Sequence, residues 1–111
     1  MIDKRKAFII GLKSYKLSNK EKLFLIKNKP WGVILFSRNI KSIKQTRALT
    51  DNIKKIFKDK KYPILIDQEG GRVNRLNNII SFDNLTSKYF GALFEKDKKK
   101  LNIIYKLFID K

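Results

Sequence analysis

Apolar residues along this chain fall into short unbroken runs and longer stretches with a helical repeat. Ala7 to Ile10 ended by Gly11, Val33 to Phe36 following Gly32, and the run from residue 63 to Ile66 are of the first kind. Such runs read as strands buried on both faces. Between the first two, Ser18 and Glu21 have capping-box spacing, in which hydroxyl and carboxylate each satisfy a free backbone donor. The spacing predicts a helix over 19–28, with Leu23 and Ile26 as its inward stripe, Phe24 and Leu25 widening it, and Pro30 marking its end. Ser42 caps a second predicted helix running to about Lys58, in which Leu49, Ile53, Ile56 and Phe57 share one face.

Strand starts near residues 7, 33 and 64 are separated by about the length of a βα unit. Two helices between three apolar strands imply right-handed crossovers and a parallel three-stranded sheet with all its polar strand ends on one rim. Ser37, Arg38 and Asn39 follow the second run; Arg38 and Asn39 are expected to brace neighbouring loops rather than face a ligand. Further on, Thr86 caps a predicted helix to about Phe94 with Tyr89, Phe90 and Leu93 inward. Another helix from about Asp97 places Leu101, Ile104, Tyr105 and Phe108 on one face, suited to a partner surface.

The chemistry concentrates where the third run ends. Asp67, Glu69, Gly70, Gly71, Arg72 and Arg75 follow Ile66 within nine residues. Asp67 falls at a strand's carboxyl end, where α/β folds place ligand groups. Gly70-Gly71 permits positive φ and a close backbone approach. Arg72 and Arg75 are near enough in sequence to neutralise Asp67 and Glu69, and an arginine fork also holds a hydroxyl or carboxylate. The same spacing equally fits a structural salt-bridge cluster tightening a turn.

The stretch Asp67-Gln68-Glu69-Gly70-Gly71-Arg72-Val73-Asn74-Arg75 resembles the Asp-Gln-Glu-Gly-Gly-Arg-Val-x-Arg signature of glycoside hydrolase family 3, in its bacterial β-N-acetylhexosaminidase branch. Upstream, Leu17-Ser18-x-x-Glu21-Lys22 is similar to the family's first helix start, Trp31 to Ile40 to its second strand, and Gln45 to Ile53 to its second helix. The resemblance covers roughly residues 7 to 95; where the family carries a Leu-Pro step, this chain has Ile79 to Leu85 without proline. It implies a (β/α)₈ TIM barrel and retaining hydrolysis of a terminal β-linked N-acetylglucosamine, with cell-wall fragments as substrate class and peptidoglycan recycling as context. It also implies an aspartate nucleophile and a histidine acid/base on later loops, so no catalytic residue carries over to this chain. Asp67 and Arg75 match the family's sugar-holding aspartate and arginine, while Glu69, Gly70, Gly71 and Arg72 match its supporting turn.

Length sharpens that expectation. At 111 residues the chain suits one modest core, well short of the ~250 residues of a complete barrel. The expected fold is α/β, the first three βα units of a partial barrel, with residues 1–111 as the incomplete N-terminal part of such a domain. Met1 at the start and the apolar run Leu101 to Ile109 at the end place the expected remainder on the C-terminal side, supplied by a complementing segment if the gene is split. A sheet with two unpaired edges is prone to association, so a non-catalytic remnant or binding module is the alternative.

Composition removes several other classes. Twenty-seven basic residues against 10 acidic give a net charge of +17, a balance that raises nucleic acid or an anionic membrane as partners. Lysine is spread along the whole chain, however, and the densest run, Lys54 to Lys61, has only Phe57 within it. No specific nucleic-acid site is expected, since interleaved aromatics are missing. Cysteine and histidine are both absent, which removes disulfides and thiolate or imidazole metal sites. Asp67 with Glu69 makes a weak divalent site, so no metal or cofactor is expected. As a catalytic pair those two acids are also weak, because adjacent arginines favour both in the charged form and leave no acid to donate a proton. A nucleotide fold using Gly70-Gly71 lacks the phosphate-turn spacing. No run approaches a membrane span and Ala7 to Leu12 is too short for a secretory core, so a soluble cytoplasmic protein is expected.

Overall fold

The computed structural model describes residues 4–70, 72–81 and 84–110, apart from the Phe108 side chain. In chain order it has β1 (Lys6–Gly11), α1 (Asn19–Asn28), β2 (Pro30–Leu35), a 3₁₀ turn (Ser37–Asn39), α2 (Ile43–Phe57), β3 (Ile64–Ile66), α3 (Ser87–Lys96) and α4 (Lys98–Ile109). The strands form one parallel sheet in the order β1-β2-β3, as the run spacing predicts. The chain divides into two compact units, Met1–Gln68 with Arg75–Ile80, and Glu69–Asn74 with Ser81–Lys111.

In the first unit, local signals set the helix ends. The Ser18 hydroxyl accepts from the Glu21 backbone N–H at 3.2 Å, and the Glu21 carboxylate accepts from the backbone N–H groups of Ser18 and Lys13, each at 2.8 Å. Burial pushes this carboxyl up, but those donors outweigh it and leave Glu21 below the usual carboxylate range. The helix closes at Lys29, a left-handed residue with φ 49° whose N–H returns to the Leu25 carbonyl. Ser42 caps α2 by accepting from the Gln45 N–H, and Lys58 closes it, again left-handed.

The core lies between α1, α2 and one face of the sheet. It consists of Leu12, Leu25, Val33, Leu35, Ile40, Leu49, Ile53 and Tyr62, with Ile10, Ile56, Phe57 and Ile64 partly buried against it. Leu49 and Ile53, one turn apart, are 2% and 0% exposed, so the periodicity of the second helix identifies its buried face. At the amino end of the sheet, Tyr62 stacks on Phe57 with centroids 3.9 Å apart and donates to the Pro30 carbonyl at 2.9 Å. The Arg5 guanidinium lies over the Tyr62 ring and pairs with Asp59, tying the start of β1 to the end of α2.

Three expectations are corrected here. The stripe of α1 does not point inward: Leu23 and Ile26 are 67% and 54% exposed, and Leu25 alone of that helix is buried. Residues 23 and 26 share one helical line and residue 25 lies across from it, and packing selects the second. β2 begins at Pro30, three residues before the apolar run, because proline is tolerated at a strand's first position. Gly32 lies within the strand instead of preceding it, and a Cβ there would sit 3.1 Å from the Pro63 carbonyl oxygen.

The second unit has its own caps. Thr86 accepts from the Tyr89 N–H and Asp97 from the Lys100 N–H. Phe90 meets Tyr105 edge to face at 5.4 Å, joining α3 to α4. No described residue of α3 is buried, so the inward packing expected of Tyr89, Phe90 and Leu93 is at most half-burial. On α4, Leu101 and Ile104 are half-buried and Tyr105 is exposed; the Phe108 side chain lies outside the described residues.

Candidate functional site

At the carboxyl end of the sheet, the loops leaving all three strands are stitched together by side chains. Asn39, 0% exposed, does most of this. Its amide nitrogen donates to the Leu12 carbonyl at 3.0 Å and the Ser14 carbonyl at 2.9 Å, and its oxygen accepts from the Phe36 N–H at 2.9 Å. Arg38 adds a bond from Nε to the Leu12 carbonyl at 2.8 Å, and its guanidinium lies 4.7 Å from the centre of the Phe36 ring. Both residues therefore brace the loop after β1 against the loop after β2. Gly11 makes room for this: a Cβ there would be 3.1 Å from Arg38 Nη2 and 3.3 Å from the Phe36 ring.

The loop after β3 joins the same assembly. Asp67 directly follows Ile66, and its half-exposed carboxylate lies 3.9 Å from Arg75 Nη2. Arg75 is held from several sides. Its Nε donates to the Asp67 carbonyl at 3.3 Å, its backbone N–H donates to Gln68 Oε1 at 2.8 Å, and its guanidinium lies 5.3 Å from the Phe36 ring centre. Phe36 thus carries a guanidinium from the β2 loop and another from the β3 loop. Asn78 continues the bracing by donating to the Ile40 carbonyl at 2.9 Å.

The remaining motif residues form a turn belonging to the second unit. Gly70 and Val73 exchange reciprocal backbone bonds of 3.0 Å, and Gly70 has φ 77°, the left-handed region its sequence position anticipates. Gly71 lies outside the described residues. Glu69 and Arg72 are exposed, and neither makes an ion pair among the described residues. The expected four-membered charge cluster therefore reduces to Asp67 with Arg75. Arg72, between the two bonded residues Gly70 and Val73, is exposed.

Sequence reading passed over Phe36 and Gln68. Phe36 closes an apolar run and reads as core, although it is only half-buried and serves as the shelf for two arginines. Gln68 lies inside the motif with no assigned role; its side chain sets the backbone of Arg75. Among the described residues no group of three or more acids, cysteines or histidines gathers as a metal set. No helix there is long and apolar enough to cross a membrane. A groove of about 560 Å³ between α1 and α2, lined by Tyr15, Leu17, Lys22, Ser42, Gln45 and Leu49 among others, excludes Asp67 and Arg75. What the rim pair offers is an exposed carboxylate acceptor beside a fixed guanidinium donor, a combination suited to a polyhydroxylated ligand.

By architecture this is an α/β protein of the parallel βα type with its polar groups at the carboxyl-end rim. No family model matches the chain. It is 48% identical over 92 residues to a β-hexosaminidase of Alkalilimnicola ehrlichii, a match covering 80% of this chain and 25% of the relative. It is 36% identical over 92 residues to the β-hexosaminidase of Psychromonas ingrahamii, covering 83% and 26%. Native NagZ from Neisseria gonorrhoeae superposes with a TM-score of 0.67 at 30% identity, over 84% of this chain and 26% of that one. NagZ of the same organism in complex with N-trifluoroacetyl-D-glucosamine gives 0.58 at 33% identity, over 70% and 22%. The chain is similar to a portion of the NagZ-like β-hexosaminidases and spans about a quarter of the curated relatives' length.

Proposed function

We propose that this segment serves a β-N-acetylhexosaminidase, as the first three βα units of a (β/α)₈ barrel that removes terminal β-linked N-acetylglucosamine from cell-wall fragments in the cytoplasm. The 48% identity to the Alkalilimnicola ehrlichii β-hexosaminidase carries this reading. The glucosamine derivative bound by the gonococcal relative supports a carbohydrate ligand.

Within that enzyme Asp67 and Arg75 hold the terminal sugar. The Asp67 carboxylate accepts hydrogen bonds from sugar hydroxyls, each charge-assisted and contributing roughly 1.5–3 kcal/mol. Arg75 orients that carboxylate and presents a donor of its own, while Gly70, Gly71, Glu69 and Arg72 shape the supporting turn. Bond cleavage falls to the nucleophile and acid/base on later loops, so these residues bind and position.

The test is a covalent chimaera in which this chain replaces the matching region of the Alkalilimnicola ehrlichii enzyme, assayed on a chromogenic N-acetylglucosaminide. The chimaera should turn over, and Asp67→Ala should lower kcat/KM by about 10²–10⁴-fold, because sugar contacts tighten in the transition state. An inert chimaera that is nonetheless folded would favour a non-catalytic remnant. If azide rescues Asp67→Ala with formation of a glycosyl azide, Asp67 is the nucleophile and its assignment as a binding residue is wrong.

A further inference from the structure

At the rim of the first unit Asp67 and Arg75 face each other and largely cancel, which leaves Arg38 as an unmatched charge. Arg38 is exposed, and its bracing role uses Nε alone, which donates to the Leu12 carbonyl at 2.8 Å. Its two Nη atoms make no hydrogen bond or ion pair among the described residues. The Glu21 carboxylate, which reaches the same loop after β1, is already engaged by the Lys13 and Ser18 backbone N–H groups. Arg38 is also fixed in place. The Nε bond and the Phe36 ring, 4.7 Å from the guanidinium carbon, hold its plane, and the same ring carries the Arg75 guanidinium at 5.3 Å. A flexible lysine gives up rotamer freedom when it grips an anion, whereas a guanidinium already held by one nitrogen and a ring gives up less. The result is a planar fork with free donors, resting on the ring it shares with Arg75. The matched partner of such a fork is a carboxylate, which accepts two parallel N–H bonds.

We propose that Arg38 is a specificity-determining residue whose Nη donors recognise a carboxylate carried by the group attached to the terminal sugar. The proposal rests on the functional reading above and adds a charge requirement for the part of the substrate beyond that sugar. N-acetylglucosamine is neutral, and Asp67 with Arg75 meets its hydroxyls, so the sugar itself offers Arg38 no anion. Because both guanidiniums rest on Phe36, the carboxylate is expected beside the sugar contacts and not far along the substrate. The competing source of an anion preference is the net charge of +17. That field is spread along the chain and screened by salt, so it depends little on which single cation is removed.

The experiment measures by calorimetry how the covalent chimaera binds a matched pair of non-hydrolysable thioglycosides of N-acetylglucosamine, one bearing a benzoate and the other a benzamide. The benzoate glycoside should bind at least about tenfold more tightly. Arg38→Gln should bring this ratio to about one, whatever the lost Leu12 bond does to both ligands, and Arg38→Lys should keep only part of it. Lys13→Gln and Lys41→Gln each remove an exposed charge from a neighbouring loop. They should leave the ratio within about twofold. Equal binding of the two ligands by the wild-type chimaera overturns the proposal, as does a ratio that either lysine variant lowers as much as Arg38→Gln does. If Arg38→Gln fails to fold, Arg38→Lys decides, since an undiminished ratio there means that the fork does not select the carboxylate. A folded chimaera that binds neither ligand tells against the sugar-holding reading, and the proposal falls with it. Binding of the benzamide with no gain for the benzoate tells against Arg38 alone.

Discussion

Replacing Asn39 by alanine removes the side chain that joins the first two rim loops. The side chain makes three hydrogen bonds from a fully buried position, donating to the Leu12 and Ser14 carbonyls and accepting from the Phe36 N–H. Alanine leaves the Phe36 N–H and the Ser14 carbonyl without that partner, while the Leu12 carbonyl keeps its bond from Arg38. A stranded buried polar group costs ~1–3 kcal/mol. Two of these groups lie where water has partial access, which brings the expected loss to about 2–4 kcal/mol, a large fraction of the ~5–15 kcal/mol that holds a typical domain. With a urea slope of ~1–3 kcal/mol per molar, the unfolding midpoint of the chain should fall by about 0.7–4 M at unchanged slope.

Asn39→Asp separates donor loss from volume loss. It keeps the acceptor for Phe36 and the size of the side chain, but turns a carboxylate oxygen toward two carbonyl oxygens. At neutral pH it should be at least as destabilising as Asn39→Ala, because a buried charge facing acceptors has neither solvation nor a donor. Urea melts followed by far-ultraviolet circular dichroism decide the matter. A loss below about 1 kcal/mol for Asn39→Ala, or an aspartate variant milder than the alanine one, would refute the reasoning that this amide is the joint of the rim.

Burial pushes the Tyr62 phenol up to about 12, against the opposing pull of Arg5. The folded state holds this proton after the unfolded chain has lost it, so the contribution is complete below about pH 10 and falls as pH rises toward 12. An alkaline absorbance titration should lose its last phase in Tyr62→Phe; an unchanged last phase would contradict the burial argument. The 111-residue chain alone should not hydrolyse a chromogenic N-acetylglucosaminide, since it contains no histidine, and turnover above buffer by pure protein would overturn that expectation. Its binding to nucleic acid should be weak, indifferent to sequence and steeply reduced by salt, and a sequence-selective complex surviving about 0.2 M salt would argue for a dedicated site.

The parts of the fold legible in the sequence are those with local signals. Ser18, Ser42, Thr86 and Asp97 each accept from a first-turn backbone N–H, so helix starts follow from a few adjacent residues. Leu49 and Ile53 repeat at helical spacing and are buried accordingly. What was not legible depends on partners distant in sequence. Leu23 and Leu25 are equally apolar, and only the position of the sheet decides that the second goes inside. Asn39 reads as a loop residue until the strand before α1 is placed beside it. The shared Phe36 shelf joins residues from two different loops. In the motif, the adjacency of Asp67 and Arg75 could be anticipated, but separating them from Glu69 and Arg72 required the bonded turn between Gly70 and Val73.

That geometry bears on how the rim can work. β3 is three residues long and lies at the end of the strand order, paired to β2, so its ladder alone is a weak platform for Asp67. The position of the carboxylate depends as much on Arg75, whose Nε reaches the Asp67 backbone while its plane rests beside Phe36. Arg75 is in turn placed by Gln68, and Phe36 is held through its own N–H by Asn39. The chain of support therefore runs from a fully buried amide between β1 and β2 to an exposed carboxylate after β3. A lysine at position 75 would preserve the charge but lose the planar fork and the stack, so charge alone does not make Arg75 replaceable. The rim is held by the segment's own contacts with no ligand present, and under the proposed sugar-binding role that arrangement would spare ordering entropy on binding.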